Sequence, residues 1–74
     1  MSRAREYVAS VCDKAGRVLY RSAPHPDRMT AAREALAARP NARSVRTEGF
    51  FNGFANGMDM QWLRPDQIRG ATHA

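Results

Sequence analysis

Pro24 and Pro26 stand two positions apart in the segment Ser22-Ala23-Pro24-His25-Pro26. Each ring fixes φ and removes a backbone N–H, so neither a regular strand nor a helix can run through this point. What precedes the break alternates with a period of two. Residues 6–13 place Tyr7, Ala9 and Val11 on one face of a strand and Val8, Ser10 and Cys12 on the other. Asp13-Lys14-Ala15-Gly16 then forms a turn closed by a left-handed glycine, and Arg17-Val18-Leu19-Tyr20-Arg21 alternates again. A β-hairpin over residues 6–22 is the expected result.

The break is followed by a helix. Pro26 suits the first helical position and Asp27 the positive end of the helix dipole, while residues 28–39 are rich in strong helix formers. Met29, Ala32, Ala35 and Leu36 make an apolar stripe at helical spacing, and Pro40-Asn41 ends it. Its alanines permit close approach to a sheet.

Strand character returns over residues 42–51, with Val45 and Thr47 on one face. The stretch from Gly49 to Gly57 then contains Asn52-Gly53 and Asn56-Gly57, each a type I′ hairpin signal. Only one can be the tight turn of a regular hairpin. If Asn56-Gly57 turns, Met58, Met60 and Trp62 share a face and pair back across residues 51–53. If Asn52-Gly53 turns, Phe51 faces Phe54 and the second pair becomes a bulge. Both registers fit the sequence. Phe50 or Phe51 is expected in the core with Met60 and Trp62 packed alongside, and Phe54 exposed. Residues 64–69 read as a helical turn starting near Pro65. The fold class is α+β: a small antiparallel sheet of about four strands with one main helix on one face (ββαββ), then a short C-terminal helical turn. With 74 residues the chain is read as a single domain with residues 1–5 and 70–74 as mobile termini.

Composition narrows the function. Cys12 is the only cysteine and lies far from His25 and His73, so neither an intramolecular disulfide nor a metal site is expected. Cys12 and His25 lack the partners that a nucleophile or general base requires, the carboxylates are scattered, and no strand-loop-helix phosphate loop is present. The expectation is a protein that is not an enzyme and needs no cofactor. With no apolar stretch near 20 residues, no membrane partner is expected and the location is taken as the bacterial cytoplasm.

The net charge is +5, and eleven of the 12 basic residues are arginine. A GC-rich genome writes the same bias without selection for arginine chemistry. Arg17, Arg21, Arg43 and Arg46 fall on two expected strands, and Phe50, Phe51 and Phe54 follow closely. Two partner classes are compatible with this set. Arginines contact phosphates and base edges while phenylalanines stack on bases, which would suit DNA or RNA. Aromatic and arginine side chains are also enriched at protein interface hot spots. On the second reading the segment carrying Phe50, Phe51, Asn52, Phe54 and Asn56 is the apolar anchor, and the four arginines are polar contacts. A homodimer that covers the aromatic segment is a third possibility.

The layout resembles one kind of small phage-encoded anti-CRISPR inhibitor of type I CRISPR surveillance complexes. The resemblance rests on the hairpin around Asp13 to Gly16, the Ala-rich helix opened by Pro26-Asp27, the second hairpin, and the terminal Pro65 to Arg69 segment. It implies a stoichiometric inhibitor that docks on Cas subunits of a host complex and blocks target DNA binding. No contact residue carries over. A basic chain cannot work as an acidic mimic of DNA, so it would block sterically or engage an acidic or RNA-bearing surface.

Overall fold

The structure, a computed structural model, describes residues 5–51 and 54–70, with residues 54–58 described by their backbone alone. The elements are β1 (Arg5–Cys12), β2 (Val18–Arg21), α1 (Arg28–Ala38), β3 (Val45–Phe51), β4 (Phe54–Leu63) and α2 (Pro65–Gly70). The four strands form one sheet in the order β2-β1-β3-β4, antiparallel throughout. This is the α+β fold expected from the sequence. Arg5 opens β1 and Gly70 closes α2, and the rest of the two segments expected to be mobile lies outside the described residues. Among the described residues no helix is long and apolar enough to cross a membrane.

Asp13 organises the first hairpin. Its Oδ1 accepts from the backbone N–H groups of Ala15 and Arg17, both at 2.9 Å, and Gly16 takes a φ of 89°. The register slips at Val11/Cys12, where the turn meets the ladder. Beyond β2 the proline break continues the sheet edge. His25 holds the one backbone N–H of Pro24-His25-Pro26, and it donates to the Tyr7 carbonyl at 3.0 Å while Tyr7 N–H donates to His25 at 2.7 Å. The two prolines thus leave an edge with few free donors, which discourages strand addition.

Asp27 is the N-cap of α1 rather than a residue of its first turn, and Pro26 precedes the cap. The Asp27 carboxylate accepts from Thr30 N–H at 2.9 Å and Thr30 Oγ1 at 3.0 Å. These bonds hold its pKa below the usual carboxylate value. The helix buries Ala31, Ala32, Ala35 and Leu36. They meet Ala9, Val11 and Val45 from the sheet, with Leu63 and Ile68 closing the end. Four of these nine core residues are alanines, so the core is thin. Short side chains draw the helix close to the sheet but remove little area from water each.

Polar clamps reinforce this layer. Arg28 donates to Thr47 Oγ1 at 2.8 Å and to the Asp59 carbonyl at 3.1 Å, and it pairs with the Asp59 carboxylate. Its guanidinium lies over the Tyr7 ring, 4.8 Å from the centroid. On the other side Glu34 accepts from the Tyr20 hydroxyl, from Ala23 N–H at 3.3 Å, and contacts His25 Nε2 at 2.5 Å. One carboxylate therefore ties β2 and the proline segment to α1.

The Glu34 carboxyl is held below its usual pKa, first by His25 and then by Tyr20. A depressed carboxylate contributes stability that is complete above the unfolded pKa and is lost as pH falls through the folded one. The urea midpoint should therefore fall as pH drops below the ordinary carboxylate range, and Glu34→Gln should flatten that limb. An unchanged acid limb in Glu34→Gln would contradict this role for the clamp.

Candidate functional surface

The helices cover one face of the sheet, and the strand register identifies what stands on the other. Directly paired residues project to the same side. Ser10 pairs with Arg21 on β2 and Arg46 on β3, and Arg46 pairs with Trp62 on β4. This makes a row Arg21–Ser10–Arg46–Trp62 across all four strands. The next row is Val8–Glu48–Met60, and the next pairs Glu6 with Phe50. All these residues have the opposite parity to Ala9, Val11, Val45 and Thr47, which lie under α1.

The face is buried over the central strand β1 and exposed over the edge strand β4. Val8 and Ser10 are buried beneath longer neighbours, whereas Met60 is 44% exposed and Trp62 54% exposed. Ser10 Oγ and Arg46 Nε are buried without a hydrogen-bond partner, at directly opposed positions. A buried polar group left unpaired costs about 1–3 kcal/mol. Beside them, Glu6, Val8, Arg21 and Phe50 contribute to the lining of a shallow depression of about 250 Å³. Among the described residues charge on this face is balanced, with Arg21 and Arg46 set against Glu6 and Glu48.

Trp62 and Met60 correct the expectation that they pack in the core. Leu63, next to Trp62, takes the inward position and is 8% exposed. A two-layer molecule whose helices lie on one side leaves the opposite parity of β4 uncovered. Nor does either phenylalanine of β3 enter the core. Phe50 is half-buried on the open face, and Phe51 is 39% exposed, with the Arg5 guanidinium 5.9 Å from its ring centroid.

Other expected contact residues are dispersed. Arg17 precedes β2 and is paired with Asp13 at 3.1 Å, and Arg43 lies in the connection from α1 to β3. Only Arg21 and Arg46 of the four arginines are on strands, and both are on the open face. Phe51 pairs with Phe54, so the hairpin connection falls at Asn52-Gly53, and the register shift that follows spans Asn56 to Met60. This is the second of the two registers the sequence allowed. Asn52 itself lies outside the described residues, as do the side chains of Phe54 and Asn56. The segment expected to be an aromatic loop is thus the joined ends of β3 and β4. The residues missed were Ser10, Glu48, Met60 and Trp62; the parity of β4 relative to Leu63 was the available signal.

Comparison with known proteins returned no matching family model, no matching curated protein and no matching solved structure.

Proposed function

We propose that this is a non-enzymatic binding protein whose contact surface is the open face of its sheet and whose partner is another protein. The observation that carries this reading is the exposure of Trp62, the only tryptophan of the chain, on a face that no described element covers. A large aromatic held at 54% exposure on a regular strand offers substantial apolar area without the entropy cost of ordering a loop. Arg46 beside it supplies the residue type that accompanies tryptophan at hot spots.

Charge separates the partner classes. Among the described residues the open face carries two arginines and two carboxylates, so the face itself adds no excess positive charge to draw in a phosphate backbone. A protein surface with mixed charge and an apolar pocket suits it better. The resemblance to inhibitors of type I CRISPR surveillance complexes supplies the first partner to test, with steric occlusion of target DNA as the mode.

Binding of the immobilised chain to a purified type I complex loaded with its guide RNA is the experiment. Trp62→Ala should weaken binding by about a hundredfold while leaving the circular dichroism spectrum unchanged, because the side chain is outside the core. Affinity should change little between low and moderate salt. Wild-type affinity in Trp62→Ala would remove the open face as the contact surface, and absence of wild-type binding would remove the Cas reading.

A further inference from the structure

A second group of cations, Lys14, Arg39 and Arg43, lies around the β1–β2 turn and the connection from α1 to β3. There the two segments flank a groove, open to solvent on one side, of about 580 Å³. Its size is within the range of small-molecule sites. Val11, Leu19 and Ala42 contribute apolar lining, and Lys14, Arg39 and Arg43 contribute cations. All three cations are exposed, and Leu19 is 43% exposed. Asp13 is the only carboxylate lining the groove among the described residues, and it is engaged by Arg17 Nε and two backbone N–H groups.

We infer that this groove is a binding site for a small organic anion with an apolar body, held by apolar contact along Val11, Leu19 and Ala42 and by charge at Lys14, Arg39 and Arg43. The C-terminal end of α1 reaches the groove and contributes about half a negative charge through its carbonyls, which opposes an anion. Three whole positive charges outweigh it. Part of that dipole is also answered locally, since Arg39 N–H donates to Ala35 at 2.9 Å and Ala42 N–H to Arg39 at 3.0 Å. Arg39 spans the groove wall, with Nη2 placed 3.4 Å from the Leu19 carbonyl. A carboxylate or sulfonate at the rim would give its guanidinium a stronger, charged acceptor. A neutral apolar molecule would gain only the lining contact, and a hydrophilic anion only the rim.

Cys12 also lines the groove and is the only cysteine of the chain, so its alkylation reports occupancy directly. The probes are 1-anilinonaphthalene-8-sulfonate and N-phenyl-1-naphthylamine, which share the aromatic body and differ in the sulfonate. The anionic probe should bind at least about tenfold more tightly, slow the reaction of Cys12 with iodoacetamide, and be displaced by decanoate. The double substitution Arg39→Gln, Arg43→Gln leaves only Lys14 and should remove most of its margin over the neutral probe, with the fold unchanged by circular dichroism. Equal affinity for the two probes, binding that leaves Cys12 alkylation unaffected, or undiminished binding in the double variant would each overturn the assignment.

Discussion

Gly49→Ala should destabilise the fold by about 2–3 kcal/mol, the scale of a largely buried charge pair losing its geometry, although the change adds one methyl group to a strand. A Cβ on Gly49 would lie 2.0 Å from Asp59 Oδ2 and 2.7 Å from its Cγ. The strand backbone can accept the substitution, so the carboxylate has to leave. Asp59 is one of the groups that Arg28 grips between α1 and the sheet, and their side chains are only 17% and 23% exposed. Moving Asp59 strands a guanidinium that is also committed to Thr47. In a domain of this size the loss corresponds to a fall in Tm of the order of 10 °C or more. A double-mutant cycle gives the diagnostic. In an Asp59→Ala background the carboxylate is gone and only the residue-59 Cβ, 3.1 Å away, remains, so Gly49→Ala should cost much less than in the wild type. Strict additivity of the two substitutions would show that Gly49 serves the strand for some reason other than room for Asp59.

Ile68→Ala carries the second large effect, about 2–4 kcal/mol for deleting a buried aliphatic side chain. Ile68 is 1% exposed and is the only buried residue of α2. A helix of six residues has no stability of its own. It is held by this anchor and by a start in which Arg64 N–H donates to Gln67 Oε1 at 2.8 Å, half of a capping box. Removing the anchor should release α2 first and then expose Leu36 and Leu63, which share the cluster. Hydrogen exchange should show the amides of Gln67 and Ile68 losing protection before those of β1 and β3. A urea midpoint within error of wild type would mean that α2 does not belong to the cooperative core.

The local elements were legible because each carries its own signal within a few residues. Asp13 and Gly16 mark one turn, Pro24 and Pro26 the break, Asp27 and Pro40 the bounds of a helix, and Val45 with Thr47 the buried side of β3. What the sequence did not reveal depends on contacts between distant segments. The grip of Arg28 on Asp59 joins residues 31 positions apart, and nothing near either residue announces it. Trp62 was misplaced for a related reason. Large aromatic residues usually serve small cores, but this core is built from alanines on α1 that leave no room for an indole, and the register of β4 turns Trp62 outward. The choice between two Asn-Gly turns had the same character, since either turn satisfies local rules and only pairing along the whole of β3 selects one.

The open face is also where local rules are broken without structural compensation. Ser10 Oγ and Arg46 Nε are buried and unpaired, and the largest aromatic side chain faces water. Such departures concentrate at functional surfaces, which is why a binding role is proposed for this face. That account is tested most directly by labelling Trp62 with 5-fluorotryptophan and following its ¹⁹F resonance. The free chain should give one solvent-exposed signal with a clear H₂O/D₂O isotope shift. Addition of the guide-loaded surveillance complex should broaden and displace that signal and abolish the isotope shift, in step with complex formation measured by sedimentation. A Trp62 signal that stays exposed and unshifted while the chain co-sediments with the complex would contradict the open sheet face as the site of binding.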